Sequence, residues 1–291
     1  MDDSKFFAFG FGYSAEALAR RIPAGWHLAG TCRDEAKRAA LQARGIDSWI
    51  FNGKKPLADP AAALRGTTHI LSSAPPEGMG DPVLAHHARD IARLPGLRWV
   101  GYLSTTGVYG DHAGGWVDES DALEPTGERG RRRVAAEGAW LDLWRRHGVP
   151  VHVFRLAGIY GPGRSAFDSL RQGRAQRIDK PGQVFSRIHV DDIAAALAAS
   201  MAKPNPGAIY NICDDDPAAP AEVIAYAAGL LGIEPPPLVP YAEAKLSDMG
   251  RSFYADNKRV RNERMKRELG VSLAYPDYRQ GLAAILKAER G

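Results

Sequence analysis

Cysteine is scarce: Cys32 and Cys213 are the only two in 291 residues, far apart and outside any CxxC spacing. This excludes a disulfide-stapled scaffold and, without a histidine-rich neighbourhood, a zinc site of ordinary spacing. Long apolar runs are lacking too, since nothing approaches the roughly 18–20 residues that a membrane span requires. The apolar start Phe6 to Phe11 follows Met1-Asp2-Asp3, has no basic region before it and is broken by glycine, so it is not read as a signal peptide. Net charge is small, with 38 basic against 34 acidic residues giving +4. That excess is too low and too dispersed for a nucleic-acid partner. Internal repeats and low-complexity tracts are absent. The expectation is a cytoplasmic protein away from membranes, monomeric or homodimeric, acting on a small molecule.

What is present is an alternation. Phe6 to Phe11, Trp26 to Cys32, Asp47 to Phe51, His69 to Ser72 and Arg98 to Leu103 read as strands, each bounded by Gly, Pro or Asp. Ala15 to Arg21, Asp34 to Arg44, Ala58 to Arg65 and Pro82 to Leu94 carry helical spacing between them. Arg129 to His147 continues as a long helix, Val149 to Leu156 as a strand, Asp192 to Met201 as a helix and Ala208 to Ile212 as a strand. Repeated strand, helix, strand units imply an α/β fold, a Rossmann-type doubly wound parallel sheet. After Gly161 the many prolines mark loops and turns. The division expected is 1–161 as an NADP-binding Rossmann domain and 162–291 as a small C-terminal substrate lobe, with 187–212 returning to the sheet.

Gly10-Phe11-Gly12-Tyr13-Ser14-Ala15 follows a strand and opens a helix, the setting in which GxGxxG/A binds a dinucleotide. Gly10 makes the tight turn, Gly12 lets the backbone approach a pyrophosphate, and Tyr13 and Ser14 begin the helix that faces it. At the end of the second strand an NAD site wants a carboxylate, whereas Thr31-Cys32-Arg33-Asp34 offers Arg33 first. A guanidinium clamps a 2′-phosphate, which favours NADP, unless Arg33 is only a solvated neighbour of a helix cap. Ser73 and Ala74, past the fourth strand, are also read as cofactor contacts.

Further along come Leu103-Ser104-Thr105-Thr106-Gly107-Val108-Tyr109-Gly110, then Asp118-Glu119-Ser120, then Arg155-Leu156-Ala157-Gly158-Ile159-Tyr160-Gly161-Pro162-Gly163-Arg164, and Arg187-Ile188-His189-Val190-Asp191-Asp192. In this order, and over nearly the whole chain, they resemble the extended short-chain dehydrogenases/reductases, the NAD-dependent epimerase/dehydratase superfamily. The resemblance implies a Ser/Thr at Thr105 and a Tyr and a Lys in a YxxxK helix, the Tyr exchanging a proton while the Lys lowers its pKa and holds the ribose. This chain reads Arg129-Gly130-Arg131-Arg132-Arg133 there, so Arg129 replaces the Tyr and Arg133 the Lys. A guanidinium with a pKa above about 12 moves no proton at neutral pH, although Arg133 can still bond ribose hydroxyls. Arg131 and Arg132 fit a solvated first helical turn. Tyr109 is either the substitute acid or aromatic packing, and Tyr160 shapes the pocket.

Arg164 and Arg187 point to an anionic substrate. His86-His87 is expected at the surface rather than on a metal, Asp191 or Asp192 as an N-cap, and Asp214-Asp215-Asp216 as the cap of a following helix. Two functions follow: an NADP(H)-dependent oxidoreductase, epimerase or dehydratase on a small polar metabolite, or a non-catalytic NADP(H)-sensing protein.

Overall fold

The computed structural model describes residues 4–78 and 80–290; residues 1–3, 79 and 291, which the sequence division includes, lie outside the described residues. Seven strands form the main sheet: β1 (Lys5–Phe9), β2 (His27–Cys32), β3 (Asp47–Ile50), β4 (Thr67–Ser72), β5 (Trp99–Thr105), β6 (Val151–Leu156) and β7 (Ile209–Ile212). Their order is β7-β6-β5-β4-β1-β2-β3, parallel where β1 pairs with β2 and β4, β2 with β3, and β4 with β5. The chain runs outward from β1 to β3, then returns to β4 and runs the other way. Right-handed crossovers therefore put helices on both faces, and the direction switches between β1 and β4. All five residues of β1 are buried, as a central parallel strand covered on both sides requires.

Local chemistry starts the helices. Asp34, Asp59 and Asp81 cap α2 (Glu35–Gln42), α3 (Pro60–Leu64) and α4 (Pro82–Ala92), with Pro60 and Pro82 opening their helices. The cap at Asp81 is buried and also accepts from Trp140 Nε1 at 3.0 Å, which ties α4 to α5 (Glu128–His147). Among the described residues, no helix is long and apolar enough to cross a membrane.

The chain forms two compact units. The first comprises residues 1–105, 131–155 and 193–210, the second 106–130, 156–192 and 211–291. The sequence division has 1–161 as one domain and 162–291 as the lobe with 187–212 returning to the sheet; packing places 106–130 and 156–161 in the second unit and 193–210 in the first. A linear reading cannot see which segments a loop packs on. The first unit has one core around Phe7, Phe9, Ile70, Val100, Tyr102, Trp140 and Val153. The second has a core of Tyr160, Phe167, Val223, Ala227, Tyr278, Leu282 and Ile285, supplied largely by the helices Pro220–Leu231 and Tyr278–Arg290. The first of these opens on Pro220, one of the prolines read as loop markers. Pro220 sits in the first helical turn, where its missing N–H costs nothing.

Candidate functional site

The turn between β1 and α1 (Tyr13–Ala19) is built around Gly10. Its φ of +87° lies in the left-handed region, and a Cβ there would come within 2.6 Å of Ser73 Oγ. With no side chain in the way, Ser73 Oγ donates to Gly10 O at 2.8 Å. From the other side, Gly10 N–H donates to Thr31 Oγ1 at 2.8 Å and Phe11 N–H to Thr31 O at 2.7 Å. The turn is thus clamped by residues at the ends of β2 and β4, the strands flanking β1.

Gly12 is different. It is the N-cap of α1, its φ of −107° suits any residue, no side chain caps the helix, and a Cβ built on it would meet nothing within 4 Å. Nothing in the fold needs a glycine here; what it leaves is open space before the first-turn amides of α1. Behind it, Ser14 and Ala15 are buried. Ala74 is half-buried against the core of the first unit.

Arg33 follows β2 directly and is exposed, and its guanidinium has no hydrogen bond or ion pair among the described residues. The neighbouring Asp34 accepts from Lys37 N–H at 2.8 Å and is engaged as the cap of α2. Thr105 ends β5, half-buried. Arg133 Nη1 donates to Leu103 O at 2.7 Å and to Tyr102 Oη at 3.2 Å. Beneath this face of α5 lies a buried ion pair. Arg155 donates to Glu137 through Nε (3.2 Å to each oxygen) and Nη2 (2.9 Å), and Ser104 Oγ donates to the same carboxylate at 2.5 Å. It joins β5, α5 and β6, and the sequence reading missed it. A Glu one residue past buried Ala136, on a helix continuing to Trp140, was the available signal.

The second unit holds the other candidates. Tyr109 is fully buried and donates its hydroxyl to Asn211 Oδ1 at 2.7 Å, while Asn211 N–H donates to Glu119 Oε1 at 2.7 Å. Burial raises the Glu119 carboxyl above its usual range. Tyr109 is thus engaged by hydrogen bonding as well as by packing. Arg129 is exposed, with its guanidinium 5.8 Å above the Phe253 ring. Arg164 is exposed on its turn. Arg187 is half-buried, and Nη1 donates to Phe185 O (2.8 Å) and Ala218 O (3.0 Å), so part of its donor set serves the backbone. Tyr160 is buried and donates to Asp277 O at 3.3 Å.

Several polar residues depart from the sequence expectation. His87 is buried, not at the surface: its Nδ1 meets Asp90, three residues on, at 2.9 Å, and its Nε2 accepts from Leu57 N–H at 3.1 Å, a partner 30 residues distant that sequence spacing cannot reveal. The helix Val190–Ala202 begins before either aspartate, so neither is its N-cap. Asp192 instead accepts from Ala274 and Tyr275 N–H at 2.8 and 3.0 Å. The 214–216 run does not cap the helix Pro220–Leu231, whose N-cap is Ala219. Asp215 binds Asn262 and Lys266, and Asp216 pairs with Arg279 at 2.7 Å.

Asp214 is 1% exposed, and its carboxylate has no side-chain hydrogen-bond partner among the described residues. Burial raises its pKa to about 8, against the pull of nearby Arg187. A carboxyl held above its unfolded value of about 3.9 contributes stability that is full below that value and lost as pH rises toward 8. Asp214→Asn, neutral at every pH, is therefore expected to raise Tm over the wild type, and to do so more at pH 8 than at pH 5. Scanning calorimetry at the two pH values checks this; a difference that does not grow with pH would count against a buried ionisation.

A sequence profile of the NAD dependent epimerase/dehydratase family matches residues 77–213. Protein YeeZ of Escherichia coli (strain K12) is 30% identical over 284 residues, covering 92% of this chain and 95% of that protein. A functionally unknown conserved protein from Silicibacter pomeroyi DSS shares 53% identity with a TM-score of 0.90 over 98% of both chains. The dTDP-glucose 4,6-dehydratase of Bacillus anthracis str. Ames, solved in complex with NAD, superposes with a TM-score of 0.79 at 17% identity, over 99% of this chain and 96% of that one, a likeness of fold.

Proposed function

Since this chain belongs to the NAD-dependent epimerase/dehydratase family, we propose that it binds NADP(H) at the Gly10–Ala15 turn and acts as an oxidoreductase, epimerase or dehydratase on a small polar, anionic metabolite, without that family's Tyr/Lys pair. The observation that carries this is Gly12, a glycine that the backbone does not need, opening onto free space at the start of α1. A pyrophosphate needs that close approach to backbone. Gly10, Gly12, Tyr13 and Ser14 would hold the pyrophosphate, with Ser73 and Ala74 beside the turn. Arg33 would take the 2′-phosphate and Arg133 the ribose hydroxyls. When bound, the nicotinamide supplies or accepts a hydride.

The chain's own residues then orient and stabilise charge. Arg129 and Arg133 stay cationic at any working pH, so they hold negative charge and move no proton. Thr105 offers a neutral hydroxyl at the end of β5, the side of an open sheet on which ligands bind. Arg164, together with the donors of Arg187 not used by the backbone, favours an anionic substrate.

The second reading is a non-catalytic NADP(H)-sensing protein, and the engagement of the Tyr109 hydroxyl with Asn211 in the interior favours it. Calorimetric titration with NADPH and NADH, followed by a metabolite screen for cofactor oxidation or product formation, tests both. Turnover supports the enzyme, tight NADPH binding without turnover supports the sensor, and absence of binding removes both. The setting consistent with either is cytoplasmic.

Cofactor preference gives a sharper expectation. Charge-assisted bonds to a 2′-phosphate contribute about 1.5–3 kcal/mol. NADPH is therefore expected to bind at least tenfold more tightly than NADH, and Arg33→Asp to reverse the order. Equal wild-type affinities in the same titrations would sink the assignment of Arg33.

A further inference from the structure

The Arg133 guanidinium is held in place by the strand beneath it. Nη1 reaches two acceptors on consecutive residues of β5, Tyr102 Oη and Leu103 O, and the guanidinium lies 5.9 Å from the centre of the Tyr102 ring. Tyr102 is itself enclosed by its neighbours. It is fully buried and stacks on Trp140 with ring centres 5.7 Å apart and 24° between planes. Trp140 donates Nε1 to Asp81, and the same carboxylate accepts the Val83 and Leu84 N–H groups at the start of α4. A rigid line of contacts thus runs from the α4 cap through Trp140 and Tyr102 to one nitrogen of a long, otherwise rotatable side chain.

We propose that Tyr102 is a positioning residue: its ring and hydroxyl, with the Leu103 carbonyl, fix the Arg133 guanidinium in one orientation and leave Nε and Nη2 to a ligand at the carboxyl end of β5. This rests on the reading of Arg133 as a dinucleotide contact. Arginine carries about 2 kcal/mol of rotamer entropy, and a guanidinium oriented beforehand loses less of it when a ligand binds. Tyr102 is not a proton donor to the reaction. Burial raises its hydroxyl well above the usual phenol range, so it stays neutral, and its ring has no exposed surface. The hydroxyl serves as the acceptor that a phenylalanine at this position would lack.

The test is a double-mutant cycle on Tyr102→Phe and Arg133→Ala, reading NADPH affinity by calorimetry and Tm alongside. Tyr102→Phe keeps the ring and its stacking, so its Tm is expected within a few degrees of wild type. Its NADPH Kd is expected to rise about five- to tenfold, the scale of one ordinary net hydrogen bond lost behind the ligand contact. In the Arg133→Ala background the same change is expected to have no further effect on Kd, because the side chain it orients is gone. A merely structural tyrosine would lower Tm and leave the cycle additive. Wild-type binding that Tyr102→Phe leaves unchanged, or equal effects in both backgrounds, overturns the positioning role alone. A wild type that binds no NADPH overturns the cofactor reading and this assignment with it.

Discussion

Arg155→Met is expected to destabilise the protein by about 3–5 kcal/mol, the usual cost of removing one partner from a buried ion pair. Both side chains of the Arg155–Glu137 pair are 3% exposed, with Nη2 to Oε2 at 2.9 Å. The pair joins three elements of the first unit, and Ser104 supplies the remaining donor to the carboxylate. Without the guanidinium, Glu137 is a buried anion with one neutral hydrogen bond. The paired substitution Glu137→Leu with Arg155→Met removes both charges and is expected to recover most of the loss, since an apolar replacement of similar volume is often neutral. Urea unfolding of the three proteins at pH 6 and pH 8 measures these differences. A single variant within about 0.5 kcal/mol of wild type would show that the pair is not worth what its burial implies.

Gly12→Val is expected to abolish NADPH binding, a loss of at least a hundredfold, while the protein stays folded. Folding tolerates the change because the backbone at Gly12 is in an ordinary region and a Cβ there meets no atom within 4 Å. Binding does not, because the branched side chain would occupy the space through which a pyrophosphate reaches the start of α1. Gly10→Val is the contrasting control. There φ is +87° and the Cβ would lie 2.6 Å from Ser73 Oγ, so the fold itself should suffer. Calorimetric titration paired with thermal unfolding separates the two cases. If Gly12→Val binds NADPH as tightly as wild type, the open space is not a phosphate site.

Much of the first unit was legible because its signals are short-range. A strand such as Lys5–Phe9 is apolar almost throughout because it is covered on both faces, so its composition reports its depth. Asp34, Asp59 and Asp81 each bond amides within three residues, which is why the starts of α2, α3 and α4 can be read from a few letters. The glycine turn is equally local. The second unit was harder to read, because Pro220, one of the prolines that suggest loops, opens a helix instead.

The sequence by itself determined the α/β class, the order of the strand and helix units, the position of the glycine turn, and the presence of arginines at 129 and 133. These depend on residue type and spacing alone. Only the tertiary structure decided that His87 is a core residue bonded to Leu57, that Asp192 ties down residues 274 and 275, that Asp214 is buried near Arg187, and that Arg133 rests on Tyr102. Each is set by which distant segment lies opposite. A polar side chain's burial, partner and charge state come from that neighbour, and the letters on either side of it do not encode where the neighbour is.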